Sequence, residues 1–371
     1  MAPSLRPANV LRQRLRAGHY AEVRDEVRQH GAKGVEYQKC LCDALAQLRD
    51  WSGAIAVAEL HLGQDPYFSP VLLAKFHNNT GNYAEGWRWL DEARKADGET
   101  IGWLITASKA AFFQNDVLCA IKFGQRALDE KDKALGTPVP ITLIEGGSKK
   151  ILSFSLFGTG EIYLMGALAN ARLWVQMVPD WTCRFYLAPD VPEGIGKALQ
   201  QLGAETILQS DPKIPAYLAR FLPLQDPQVA RFACRDVDCR PTAREVDILR
   251  EWEKTAHAFH LIRNSPLHTD LVLAGLWGGM PIEGFDLKTE IAACFPKGAS
   301  NKYGLDQRFL EHRIWARIRS SLLTHDQHYR LTGIETRPVD DPDLGGGHQD
   351  IKAVRRELAE LRINLSIRRG T

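Results

Sequence analysis

The sequence predicts a fold in two parts, with α-helical repeats over residues 1–131 and an α/β domain over residues 151–345. In the first third of the chain, similar short elements recur at intervals of 31, 32 and 34 residues. From Ile151 onward, apolar stretches of strand length alternate with stretches of helical spacing. This alternation indicates a mostly parallel sheet with helices on both of its faces.

The composition is that of a globular protein and excludes several classes. The 371 residues include 47 Lys and Arg against 45 Asp and Glu, which gives no case for nucleic-acid binding. Seven scattered cysteines without a C-x-x-C pair argue against a disulfide framework and against a zinc site. The sequence shows neither a signal peptide nor a transmembrane segment, so we expect a soluble, cytoplasmic protein.

The repeats are carried by four elements that each open a helix. Each has a turn, then a large apolar residue, then small residues, and the four stand at Gly18–Glu22, Asp50–Ala54, Gly81–Glu85 and Asn115–Ala120. One helical hairpin cannot bury its apolar face, so neighbouring hairpins must stack. The pattern resembles degenerate tetratricopeptide repeats, and this resemblance implies a concave surface that recognises a protein. Bracing of the second domain by packing is the alternative.

Two further segments flank the α/β domain. Gly and Pro break the pattern over residues 132–150, which predicts a linker. The last segment, residues 346–371, has apolar residues at helical spacing together with Arg355, Arg356 and Arg362. It is predicted to be a helical tail that packs on the core or forms the seam of a homodimer. Peripheral membrane contact through its basic side is the alternative.

The α/β domain begins with four predicted strands. They cover Ile151–Phe157, Cys183–Leu187, Glu205–Leu208 and Val229–Cys234, and helices are predicted over Glu161–Val178, Pro192–Leu202 and Ile214–Leu222. Ligands of such sheets bind beyond the carboxyl ends of the strands. The sequence Asp236-Val237-Asp238 falls at that edge, directly after the fourth strand.

The two aspartates predict a cation site. Side chains at i and i+2 of a strand point the same way, so two carboxylates on one side repel unless a cation neutralises them. A divalent ion that also bridges a diphosphate would satisfy both groups. The alternative is an ordinary solvated turn or a helix cap.

Two downstream features extend this pattern. A helix is predicted from Gly304 to Arg319 with Asp306-Gln307 near its start, where acidic residues also occur simply as helix starters. A short strand follows and ends near His325, whose imidazole could complete a metal site or be structural.

Together these features resemble GT-A-type glycosyltransferases of bacteria, over residues 151 to about 330. The resemblance rests on five stretches in order: Ser153–Gly158, Pro179–Tyr186, Arg235–Arg240, Phe259–Arg263 and Leu273–Gly279. It implies a GT-A-like nucleotide-binding domain that uses Mn²⁺ or Mg²⁺ and moves a sugar from a nucleotide-sugar donor to a protein or polysaccharide acceptor, with retention of configuration favoured.

The resemblance also implies roles for single residues. The metal ligands would be Asp238, His325 and Asp236, the last of which could instead contact the ribose. Asp306 and Gln307 would lie by the reacting sugar. The remaining donor contacts would come from Ser155, Phe157 and Gly158 at the base, from Trp277, Gly278 and Gly279 at the sugar, and from Arg220 at a phosphate. An exposed surface arginine is the alternative for Arg220. The chain departs from the pattern at Cys239-Arg240, where these families have a small residue.

Two other functions are open on the sequence. A haloacid-dehalogenase-type phosphatase also has D-x-D after a strand, but that strand is normally the first of its fold, and Arg240 stands where such enzymes have Thr or Val. A catalytically inactive transferase fold that acts as an adaptor through its repeats is the second.

Overall fold

The computed structural model describes residues 5–296 and 304–339, and the chain divides after Lys131 into two compact units. The first unit contains the predicted repeats, and the second contains the predicted sheet. The tail predicted over residues 346–371 lies outside the described residues.

The first unit is a series of α-helices in the order that the repeats predict. They are α1 Ala8–Arg16, α2 Tyr20–Gln29, α3 Val35–Gln47, α4 Trp51–Leu60, α5 Pro70–Asn79, α6 Tyr83–Asp97, α7 Ile101–Phe113 and α8 Val117–Leu135. The four sequence elements open α2, α4, α6 and α8. The prediction of N-terminal helical repeats is therefore confirmed.

The turn before each of these four helices has the same geometry. The residue two positions before the helix has a positive φ in every case: 88° at Gly18, 58° at Arg49, 77° at Gly81 and 64° at Asn115. The next amide N–H donates to the carbonyl five residues back, for example Asp50 to Leu45 at 2.9 Å and Asn82 to His77 at 3.0 Å. This is the Schellman helix end, which a left-handed residue makes possible. Its fourfold recurrence explains the common start of the helices.

The second unit is an α/β domain built on eight strands. The strands are β1 Lys149–Leu156, β2 Thr182–Leu187, β3 Glu205–Leu208, β4 Val229–Arg235, β5 Phe259–Arg263, β6 Leu276–Gly279, β7 Leu322–Asp326 and β8 Glu335–Arg337. The α-helices are α9 Glu161–Met177, α10 Glu193–Gln201, α11 Ala243–Glu253, α12 Leu287–Cys294, α13 Leu305–Phe309 and α14 Trp315–Ile318. A 3₁₀ helix covers Ala216–Gln225, a π-helical turn Leu310–Ile314 and a short 3₁₀ turn Arg319–Ser321.

The strands form one sheet in the order β3-β2-β1-β4-β6-β5-β7-β8. All neighbours are parallel except β6, which runs antiparallel to both β4 and β5. The sheet is therefore mostly parallel, as the alternation of strands and helices predicts.

Different helices cover the two faces of this sheet. On one face, Leu152 and Phe154 of β1 are in one apolar cluster with residues of α9 and with Trp252 of α11. On the other face lie the 3₁₀ helix and α13, where Phe221 stacks on Phe309 with ring centroids 6.0 Å apart. Strand alternation assigns each sheet residue to one of these faces.

The segment predicted as a linker follows the surface of the α/β unit. The Val139 amide donates to the carbonyl of Ala316 at 2.8 Å, and Leu143 forms an isolated antiparallel bridge with Ile282. Within residues 5–296 and 304–339, no helix is both long enough and apolar enough to cross a membrane.

Candidate functional site

The candidate site lies where the order of the sheet reverses. From β1 the chain proceeds outward to β2 and β3, and it then returns to place β4 on the other side of β1. The carboxyl ends of β1 and β4 thus open on a crevice, the usual ligand position in open α/β sheets. Ser155 is at the end of β1, and Asp236 directly follows β4.

Arg220 of the 3₁₀ helix lies at the centre of this site. Its side chain is only 8% exposed, so the alternative of a surface arginine is wrong. Nη1 donates to Asp236 Oδ1, and Nη2 donates to Asp306 Oδ2 at 2.8 Å. One guanidinium thus joins two residues that the resemblance assigns to donor binding and to catalysis.

The backbone of Arg220 is fixed to the two central strands. Its amide donates to Ser155 Oγ at 2.9 Å, and its carbonyl accepts from Ser153 Oγ at 2.7 Å. The thiol of Cys234 on β4 also donates to this carbonyl at 3.3 Å. Because all three strand residues are buried, the arginine has little freedom to leave its position. Ser155 therefore positions Arg220, and its place beside a nucleotide base stays a prediction of the sequence.

The charges of the site favour an ionised arginine. Burial acts to lower the pKa of Arg220, but the charges of Asp236 and Asp306 outweigh it, so the pKa is raised. Burial, together with the charge of Asp306, raises the pKa of the neighbouring Tyr217 as well. The guanidinium and the two carboxylates, when ionised, carry a net charge of −1.

A glycine allows Asp236 to lie where it does. A Cβ on Gly275, which precedes β6, would overlap the Asp236 carboxylate. Since β6 is antiparallel to β4, its first residue Leu276 pairs with Arg235, and this brings Gly275 beside Asp236. Gly275 is a site residue that the sequence did not reveal.

Hydrogen bonds and close packing from α9 fix the loop that contains Asp236-Val237-Asp238. The buried Asn170 amide donates from Nδ2 to the carbonyls of Val237 at 3.0 Å and Cys239 at 2.9 Å. Gly166, one turn earlier, packs so closely that any side chain there would meet the Val237 carbonyl. The position of the loop is thus set by packing within the protein.

Asp306 and Gln307 lie at the start of α13, as predicted. Asp306 Oδ1 accepts the Gln307 amide at 3.0 Å, while its other oxygen accepts from Arg220. Among the residues that the structure describes, the buried Gln307 Oε1 has no hydrogen-bond partner. Directly after β1, Phe157 is 45% exposed and Gly158 has a φ of 75°, so an aromatic ring borders the end of this strand.

Trp277, Gly278 and Gly279 do not face a ligand space. Trp277 is fully buried against Phe221 and Phe232 at centroid distances of 5.7 and 5.3 Å. A Cβ on Gly278 would overlap the Phe232 carbonyl, and one on Gly279 would overlap the Phe259 ring. These glycines permit close packing between β4, β6 and β5. Their role in the structure is this packing and not the predicted contact with a sugar.

The structure does not bring His325 to the aspartates. Its Nε2 pairs with Glu251 of α11 at 3.1 Å, on the face opposite to the 3₁₀ helix that contacts Asp236. Three strand spacings also separate β7 from β4, which is roughly 14 Å. Burial lowers the pKa of His325 despite the opposing effect of Glu251. The His325 imidazole is thus buried between the sheet and α11, on the face opposite to the candidate site.

The predicted three-ligand metal site does not fit this arrangement. Within the described ranges, 5–296 and 304–339, no three His, Cys, Asp or Glu side chains are grouped so that they could hold an ion. Asp236 instead has a guanidinium at one oxygen and the backbone of Gly275 at the other. A metal ion at Asp236 and Asp238 stays a prediction of the sequence.

Comparison with known proteins adds weak structural similarity. No family model and no curated protein matches the sequence. Among solved structures, the chain is similar to a mutant O-GlcNAc transferase of Thermobaculum terrenum, with 13% identity and a TM-score of 0.40. The match covers 62% of this chain and 45% of that chain, so the similarity spans less than half of the neighbour's length.

Proposed function

We propose that the protein is a glycosyltransferase that takes its sugar from a nucleotide-sugar donor bound at the carboxyl ends of β1 and β4. The observation that carries this proposal is the meeting of Asp236 and Asp306 on Arg220 at the reversal of the sheet order. In the chain these residues are distant, since Arg220 is 86 positions before Asp306. Their meeting at the usual ligand position is what a binding site requires.

In this proposal the two ends of the crevice have different tasks. Phe157, the exposed aromatic residue after β1, contacts the nucleotide base. Asp236 binds the ribose, since its side chain is 46% exposed and one oxygen already accepts from Arg220. Asp306 and Gln307 face the reacting sugar, and the unpaired Gln307 Oε1 is an acceptor for a sugar hydroxyl. A buried acceptor without a partner favours a ligand that supplies a donor.

The ion pair also separates this proposal from a phosphatase. A carboxylate nucleophile of the haloacid-dehalogenase type must be free to attack a phosphorus atom. The Asp236 carboxylate is instead paired with a buried arginine, and its strand is the fourth of the sheet in chain order.

The helical repeats have a separate task in the proposal. We assign to them the binding of a protein acceptor, because stacked helical hairpins present a long surface for many side-chain contacts. Holding the acceptor raises its concentration near the transferase site.

A thermal-shift panel tests the proposal with the full chain. Uridine, guanosine and thymidine diphosphate sugars are added singly, each with and without Mn²⁺, and the melting temperature is recorded. A donor at 100 times its Kd adds about 2.7 kcal/mol of stability. Phe157→Ala, which removes the proposed base contact, should reduce the shift, whereas Asp247→Ala on the exposed side of α11 should leave it unchanged.

Donor hydrolysis and transfer are then measured with the sugar that gives the largest shift. Release of the nucleoside diphosphate supports a transferase. If no nucleotide sugar raises the melting temperature under any condition, the donor site is refuted. If one binds without hydrolysis or transfer, the adaptor alternative replaces the enzyme.

A further inference from the structure

We infer that the donor's diphosphate binds without a divalent cation, because Arg220 is the fixed cation of the site and Arg240 meets the phosphates. This inference rests on the proposed function and specifies how that same site holds its ligand. It departs from the metal ion that the D-x-D resemblance implies.

The first argument is the occupation of Asp236. A metal ligand must direct a free carboxylate oxygen at the ion. Asp236 Oδ1 is bound to Arg220, which leaves Oδ2 as its free oxygen. An ion there would be repelled by the nearby guanidinium, and no three His, Cys, Asp or Glu side chains of the described residues are grouped so that they could hold it.

Arg220 is also held firmly in its position, so a metal ion could not easily displace it from Asp236. Its side chain is 8% exposed, its backbone is bound by Ser153 and Ser155, and its second nitrogen is bound to Asp306. Withdrawal of Asp236 would leave a buried guanidinium nitrogen without its acceptor, which is unfavourable. The guanidinium thus stays in the site whatever the metal concentration.

Arg240 is a second arginine close to Asp236 and Asp238 in the chain. Arg240 lies in the loop after β4, two residues beyond Asp238, and Asn170 fixes that loop through the Cys239 carbonyl. Its Nε and Nη2 are enclosed by protein and have no hydrogen-bond partner, and no carboxylate of the described residues forms a salt bridge with it. A charged donor group without an acceptor favours a ligand rich in anionic oxygens.

Diphosphate is the ligand chemistry that fits this loop. A planar guanidinium binds two phosphate oxygens at once, which an ammonium group cannot do. An anion bound beside Asp238 lies within reach of a long side chain two residues away. Arg220 and Arg240 together offset two of the three negative charges that Asp236, Asp238 and Asp306 carry when they are ionised.

Calorimetric titration of the full chain with uridine diphosphate and guanosine diphosphate tests the inference, in EDTA and in Mn²⁺. The variants are Arg240→Gln and, as a matched control, Lys197→Gln on α10, whose side chain is 68% exposed and pairs with Glu193. We expect the same Kd within about threefold in EDTA and Mn²⁺. Arg240→Gln should weaken binding about tenfold or more at unchanged melting temperature, while the control binds as the wild type.

Three results would overturn the inference in distinguishable ways. Binding that occurs only with Mn²⁺ refutes metal independence and leaves the proposed function standing. Unchanged binding by Arg240→Gln in EDTA refutes the role of Arg240. Absence of binding by either nucleotide and by the nucleotide sugars of the thermal-shift panel, in EDTA and in Mn²⁺ alike, refutes the proposed function itself.

Discussion

Replacing Arg220 with methionine should destabilise the α/β unit by about 3 kcal/mol. Methionine has a similar length and no charge, so the change removes the cation without opening a large cavity. Breaking a buried ion pair by removing one partner costs roughly 3–5 kcal/mol. We expect the lower end because the Asp236 side chain is 46% exposed and gains water, whereas Asp306, at 18%, stays largely buried.

The loss should appear as a lower melting temperature. For a unit of this size, 1 kcal/mol corresponds to about 2–4 °C, so 3 kcal/mol predicts a decrease of about 6–12 °C. Hydrogen exchange followed by mass spectrometry identifies the unit that is affected, and faster exchange should be confined to peptides from the 3₁₀ helix, β1, β4 and α13. Exchange in helices α1–α7 should not change.

A double variant separates the charge effect from the packing effect. In Arg220→Met with Asp306→Asn, the buried carboxylate is no longer charged, so part of the lost stability should return. An Arg126→Met control removes an exposed arginine from α8, whose side chain is 53% exposed. Near wild-type stability of Arg220→Met, or strictly additive losses in the double variant, would refute the view that Arg220 is the cation of this site.

Three further variants test other parts of the structure. Gly275→Ala should move the Asp236 carboxylate off Arg220 and lower the free energy of unfolding by about 1.5–3 kcal/mol, the value of a charged hydrogen bond. The control Gly194→Ala, where a Cβ has no atom within 4 Å, should not be destabilising. Equal melting temperatures for the two variants would contradict the close packing at Gly275. Arg49→Gly should raise the free energy of unfolding by roughly 0.5–1 kcal/mol, because a left-handed L-residue is strained, and an unchanged urea midpoint would count against strain there. His260→Phe should remove part of the pH dependence of the free energy of unfolding. Burial first, then the charges of Arg235, His325 and Arg231, lower the pKa of His260 well below 6.5. Between that pKa and pH 6.5 only the unfolded chain takes up a proton here, so stability that is present above pH 6.5 is lost as the pH falls. Urea unfolding at pH 7.5 and 5.5 should show the variant losing about 1.4 kcal/mol less than the wild type, and parallel losses would mean that His260 is protonated in the folded state.

Patterns in the sequence predicted the order of elements because both parts of the fold depend on local periodicity. The repeat turns are visible since a left-handed helix end and a following large residue recur together at Gly18, Arg49, Gly81 and Asn115. The first four strands were predicted within about two residues of their observed ends, because buried parallel strands are continuous apolar runs bounded by polar segments.

The sixth strand escaped prediction for a physical reason. Glycine is rare in strands, and Leu276–Gly279 contains two, so no strand was predicted there and the segment was given only a sugar contact. Both glycines instead lie where neighbouring groups, the Phe232 carbonyl and the Phe259 ring, leave no room for a side chain. Such a requirement comes from residues more than 15 positions away and has no local signature.

The sequence does contain one indication of the segment that carries Arg220. Ser153 and Ser155 stand on one side of an otherwise apolar strand, and buried hydroxyl groups need partners. They indicate that a segment with free backbone polar groups crosses that face, although the sequence near β1 does not identify which segment it is. The partner is the 3₁₀ helix, through both the amide and the carbonyl of Arg220.

The two aspartates predicted a cation, and Asp236 has one in Arg220, but the sequence did not identify it as a guanidinium. A divalent ion and a guanidinium both require carboxylate oxygens gathered at the end of a strand, so D-x-D after β4 predicts either one equally well. The ion needs at least one further ligand, and the sequence offered His325, which strand alternation places on the opposite face. The guanidinium needs a buried arginine with a second acceptor, and here Arg220 is 16 positions before Asp236 and 86 before Asp306. Only the folding of the 3₁₀ helix across β1 and β4 decides between them, and it favours the arginine.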